Sequence, residues 1–123
     1  MPNIYGNPTE AEEQTALFEW AALMEGRIPA LKMLFAIPNG GSRHKMEAIN
    51  LKRQGLKAGV PDVCLAYPSS GYHGLYIEMK VGKNKPSQVQ KQWLSNLSEA
   101  GYKSVVCYSF NDAMKTIMDY LRL

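Results

Sequence analysis

Two short apolar runs, residues 63–67 and 74–79, flank a stretch that opens Pro68-Ser69-Ser70-Gly71. Runs of this length, rich in β-branched and aromatic residues and joined by turn formers, predict two strands paired antiparallel. A lone hairpin is marginal in water, so the rest of the chain must supply further strands and helices to cover it. This requirement fixes the fold class more tightly than any other feature.

The flanking sequence supplies those elements. Pro8-Thr9-Glu10-Ala11-Glu12 opens a helix, with Thr9 as the cap, Glu12 in the reciprocal capping position, and Leu17, Phe18, Ala21 and Ala22 on the apolar stripe. The helix is expected to run to about Met24, before Gly26 and Pro29. Residues 33–37 read as a strand that ends in the loop Pro38-Asn39-Gly40-Gly41. Residues 43–54 read as a helix, with Met46 and Ile49 expected to face inward. After the hairpin, Pro86-Ser87 starts a helix with Val89, Trp93, Leu94 and Leu97 at core spacing. Gly101 ends it, residues 104–108 form a strand, and Ser109 or Asn111 caps a last helix carrying Ala113, Met114, Ile117, Met118 and Leu121. The order predicts an α/β fold, a mixed β-sheet flanked by helices, in a single domain spanning residues 1–123.

Charge is unevenly distributed. The first 26 residues hold five glutamates and no Lys or Arg, whereas residues 27–103 hold twelve Lys or Arg against four acidic residues. A surface built from the second segment attracts a polyanion such as nucleic acid. No apolar stretch approaches the roughly 20 residues of a membrane helix, and no basic stretch feeds an apolar one at the N-terminus, so a cytoplasmic protein without a membrane partner is expected. Cys64 and Cys107 each fall in an apolar run and read as reduced core residues.

The residues able to do chemistry cluster at one end of the hairpin. Gly59-Val60-Pro61-Asp62 leads into its first strand and Ile77-Glu78-Met79-Lys80 closes its second. Side chains alternate along a strand, so Glu78 and Lys80 share a side and Met79 takes the other. Asp62, at the start of the paired strand, can converge on Glu78. Two carboxylates and the Met79 carbonyl are hard oxygen ligands suited to Mg²⁺ or Mn²⁺. A cation there would polarise a phosphodiester and lower the pKa of a bound water, and Lys80 could orient that water or offset transition-state charge. Taken alone, a Glu-x-Lys on a strand is an ordinary ion pair. Asp62 one hairpin away, and the basic loop that follows, make the grouping informative.

The chain resembles the VRR-NUC (virus-type replication and repair nuclease) family of the PD-(D/E)XK superfamily. The resemblance rests on Pro38-Asn39-Gly40, Gly59-Val60-Pro61-Asp62, Glu78-Met79-Lys80 and Ser87-x-x-Gln90-x-x-Trp93, in that order. It implies a restriction-endonuclease-like core in which Asp62 and Glu78 bind the divalent metal, Lys80 assists hydrolysis and Gln90 belongs to the active site. It also implies an acidic residue from the first helix. Glu12 has a capping role; Glu10, four residues before Gln14 in a Glu-x-x-x-Gln pattern, is the preferred choice and is expected to join Asp62 and Glu78 as a catalytic, metal-binding residue, with Glu13 in reserve. The resemblance further implies a stand-alone, phage-type endonuclease, located in the host cytoplasm if phage-encoded, that forms a homodimer and cuts branched DNA such as four-way junctions.

Nucleic-acid contacts are expected from two segments. Asn39, Arg43 and Lys45 belong to a glycine-rich loop and the helix start after it, where side chains and free amides suit phosphate. Lys83 and Lys85 lie just beyond the catalytic strand. Trp93 reads as core, and Tyr72 and His73 as turn residues. Alternative readings are a non-catalytic DNA-binding or assembly module that kept the fold, and a nuclease without branch specificity.

Overall fold

The computed structural model describes residues 6–38 and 45–123. Helix α1 (Glu10–Met24) opens as the sequence dictates: Thr9 Oγ1 accepts the Glu12 N–H, and Glu12 Oε1 accepts the Thr9 N–H at 3.0 Å. Its Leu17 and Ala21 enter the core. The strand expected at residues 33–37 is shortened to β1 (Leu34–Ala36), because Pro29, with its fixed φ, starts a 3₁₀ helix over Pro29–Met33. Helix α2 covers Lys45–Arg53. Strands β2 (Val63–Leu65) and β3 (Leu75–Met79) form the predicted antiparallel hairpin, with Val63 opposite Ile77 and Leu65 opposite Leu75. Helix α3 (Gln88–Glu99) then carries the chain to β4 (Lys103–Cys107), parallel to β3, and α4 (Phe110–Leu121) ends the order.

The four strands lie in chain order, β1-β2-β3-β4, antiparallel except for the last pair. Antiparallel neighbours need only short connections, whereas the parallel pair needs a crossover, which α3 provides. Alternation sorts the side chains to two faces. Val63, Leu65, Leu75, Ile77, Met79 and Cys107 point to the face covered by α1 and α4, where Leu17, Ala113 and Ile117 meet them to form the core. Cys64, Tyr76 and Glu78 point to the opposite face, on which α3 packs against β4, with Ser104 Oγ donating to the Leu94 carbonyl at 2.7 Å. Both cysteines are buried and free.

Two expectations about packing fail. Met46 and Ile49 face solvent, at 59% and 42% exposure, and α2 buries no residue outright. Its apolar residues are too few to outweigh the cations interleaved with them. On α3, Val89 is exposed and Trp93, Leu94 and Leu97 are only half-buried, because this helix covers one side of a sheet whose main core lies on the other.

The turn of the hairpin is fastened to the end of α4. Tyr120 Oη donates to the Tyr67 carbonyl at 2.7 Å and accepts the Ser69 N–H at 3.1 Å, while the Ser69 and Ser70 hydroxyls both donate to the Tyr120 carbonyl at 2.7 Å. Ser70 occupies the left-handed region at φ 53° within this turn. No helix among the described residues is long and apolar enough to cross a membrane.

Candidate active site

Asp62 stands immediately before β2, and its backbone carbonyl accepts the Ile37 N–H at 2.8 Å, which extends the β1 pairing to it. Its side chain turns the other way: Asp62 Oδ2 accepts the Met79 N–H at 2.8 Å. Met79 lies past the last β2–β3 pair, so this carboxylate replaces the missing ladder partner and is held beside the end of β3. The other β3 edge is satisfied by β4 through the Lys80 N–H and the Cys107 carbonyl, at 2.9 Å.

Glu78 is the only buried charged residue among those described, with 1% exposure. Its Oε2 lies 3.6 Å from Lys80 Nζ, and its Oε1 is buried with no hydrogen-bond partner. A buried carboxylate oxygen left unpartnered is costly, and the molecule resolves this by protonation or by a cation. Burial first, and then the negative charge of Asp62, push the Glu78 carboxyl up to about 8, with Lys80 opposing the shift. In the protein alone Glu78 therefore holds a proton at neutral pH, next to a second carboxylate. A divalent cation fits the same place: it would satisfy the orphan oxygen and remove the repulsion between the two carboxylates.

The structure thus gathers Asp62, Glu78 and Lys80 and ties Met79 to them by its backbone. Glu10 is placed differently. Its Oε2 accepts from Asn84 Nδ2 at 3.4 Å, in the loop that follows Lys80, and among the described residues no three His, Cys, Asp or Glu side chains form one metal-binding group. Asn84 escaped the sequence reading; a polar loop residue four positions after Lys80 was the available signal. The other first-turn acids are occupied. Glu12 caps α1, and Glu13 Oε1 accepts the Phe110 N–H at 3.0 Å, which fastens α1 to the start of α4.

Gln90 lies in the first turn of α3, half-buried, and its Oε1 accepts the Ser87 N–H at 2.8 Å in a capping box. That bond fixes the side chain at the helix start while its amide N–H groups remain available for donation. Lys45, Lys83 and Lys85 are exposed, and Asn39 and Arg43 lie outside the described residues. Gly59, at φ 86°, lies directly on α3: a Cβ there would overlap Val89 Cγ1. The segment leading to Asp62 and the helix carrying Gln90 are thereby held against one another.

The family model of the VRR-NUC domain matches residues 11–111, which include Asp62, Glu78, Lys80 and Gln90. A solved structure of a VRR_NUC domain protein superposes with a TM-score of 0.81 at 31% sequence identity, covering 96% of this chain and 92% of that one. No curated protein matches the sequence. Its mixed sheet flanked by helices is of restriction-endonuclease-like architecture, and the chain belongs to the VRR-NUC domain family, a family of nucleases.

Proposed function

We propose that residues 1–123 act as one divalent-metal-dependent endodeoxyribonuclease module hydrolysing phosphodiester bonds, with branched DNA such as a four-way junction as its preferred substrate. The observation that carries this reading is the orphan oxygen of buried Glu78 beside Asp62, at the strand end where Lys80 also lies.

Asp62 and Glu78, with the Met79 carbonyl, would hold Mg²⁺ or Mn²⁺. A cation so bound supplies Lewis acidity toward the scissile phosphate and acidifies a water ligand. Lys80 Nζ, held near Glu78, orients a water for attack and offsets charge developing on the phosphoryl oxygens. Gln90, its carbonyl committed to Ser87, donates its amide N–H groups toward substrate. Glu10, whose Asn84 partner sits in the loop after Lys80, is the α1 acid assigned to the site, since Glu12 caps α1 and Glu13 fastens α4. Lys83 and Lys85, with Asn39, Arg43 and Lys45, position the DNA backbone without reading bases. A homodimer would present two such centres related by a two-fold axis, as two incisions in a symmetric junction require.

The experiment incubates labelled linear, flap, splayed and four-way DNA with the protein in Mg²⁺, Mn²⁺ or EDTA. Divalent-dependent incision, strongest on the junction and lost in Lys80→Ala, is expected. Binding without incision in either metal would make the protein a DNA-binding module. Equal cutting of linear DNA would remove the branch preference and keep the nuclease. A one-chain mass by light scattering would remove the dimer.

A further inference from the structure

Helix α2 is unusual in this fold because it contributes almost nothing to the core. Seven of its nine residues are exposed, and only Ala48 and Leu51 are half-buried. It ends on Gly55 in the left-handed region, at φ 109°, with the Leu56 N–H returning to the Leu51 carbonyl at 2.9 Å. Lys45, Lys52 and Arg53 on the helix and Lys57 just beyond it are all exposed, against one acidic residue, Glu47. Lys45 and Lys52 are two turns apart and share a face.

Helix stability does not account for this pattern. The two cations in the last turn, Lys52 and Arg53, complement the helix dipole, but Lys45 and Lys57 lie outside that turn and gain nothing from it. A surface that spends its exposed positions on cations of both ends suits an extended polyanion better than it suits the helix.

Its location adds the second argument. The segment after α2 runs onto α3 at Gly59, where the absent side chain lets the backbone meet Val89. Lys57 lies two residues before that contact, and exposed Lys91 two residues after Val89, with Lys85 just ahead of the α3 cap Ser87. Asp62 follows Gly59 by three residues. Basic residues on two separate stretches of chain thus lie within a few positions of the contact that leads into the acidic pair.

We infer that the exposed face of α2, through Lys52, Arg53 and Lys57, is a second phosphate-contacting surface that grips a duplex arm flanking the cleavage centre. The inference rests on the nuclease reading above, and it adds residues that reading does not use.

The test measures the salt dependence of binding to a fluorescently labelled duplex and to a four-way junction in EDTA, where no cleavage occurs. Two double variants remove the same formal charge: Lys52→Gln with Arg53→Gln on α2, and Lys32→Gln with Lys115→Gln on the 3₁₀ helix and α4, all four exposed. Glutamine keeps helix propensity, and thermal melts of both variants check folding. The α2 variant is expected to lower the slope of log K against log salt by about 1.8, or about 0.9 per lost phosphate contact, while the control keeps the wild-type slope. Equal slopes in wild type and the α2 variant overturn the inference and leave the nuclease standing. So does an equal loss in the control, which would make the effect one of net charge. Wild-type protein without DNA affinity at low salt overturns the inference together with the nuclease reading.

Discussion

Asp62 Oδ2 accepts the backbone N–H of Met79 at 2.8 Å, so one carboxylate both completes the sheet and stands beside Glu78. Structure and chemistry are therefore separable at this residue. Asp62→Asn keeps an acceptor oxygen for Met79 and should melt close to wild type, with cleavage lower by on the order of 10²-fold or more. Asp62→Ala loses the acceptor as well, and should cost about 1–3 kcal/mol in urea unfolding besides abolishing cleavage. Cleavage by Asp62→Ala at the wild-type rate would take Asp62 out of the mechanism.

Glu78 links stability to pH in the metal-free protein. Burial and the neighbouring Asp62 push its carboxyl up to about 8 when folded, against the ordinary 4.5. Between those values the folded chain binds more protons than the unfolded one, so this contribution is fully present below 4.5 and is lost as pH rises through 8. In EDTA the melting temperature should fall across this window, by on the order of 5 °C. Glu78→Gln should flatten that trend, and thermal melts at several pH values decide it.

Divalent metal should act in the opposite sense, because a cation replaces the proton on Glu78. Mg²⁺ or Mn²⁺ should raise the melting temperature more at pH 8 than at pH 5, following mass action. Calorimetric titration should show proton release on binding at neutral pH, absent in Glu78→Gln.

Lys80 holds the Glu78 carboxyl lower than burial and Asp62 alone would set it. Lys80→Met should therefore move the EDTA stability transition to higher pH while abolishing cleavage. An unchanged transition would mean that Lys80 does not act on Glu78 through charge.

Gly59→Ala combines a positive φ with overlap on Val89, and should destabilise by roughly 2–4 kcal/mol. Val89→Ala in the same chain should recover the overlap part and leave the backbone strain. A double-mutant cycle from urea melts should show that coupling.

Much of this architecture was legible in advance because it rests on local rules. The Thr9–Glu12 capping box and the hairpin each follow from a few adjacent residues and stand where the sequence put them, and of the two caps it offered for α4, Ser109 is the one used. So does the approach of Asp62 to Glu78, since strand alternation and one turn suffice to produce it. The departures come from long-range packing. Met46 and Ile49 have helical spacing, but whether a helix face meets a core depends on what lies opposite. Glu13 and Glu10 differ by three positions on α1. Only the distant Phe110 N–H and Asn84 separate their tasks, and no local pattern encodes either partner.

The Tyr120 hydrogen bonds to residues 67–70 span about fifty positions of the chain. During synthesis the hairpin leaves the ribosome well before its latch exists, and closing so distant a contact is slow compared with forming local turns. A nascent chain would carry both acidic residues long before the scaffold that steadies them.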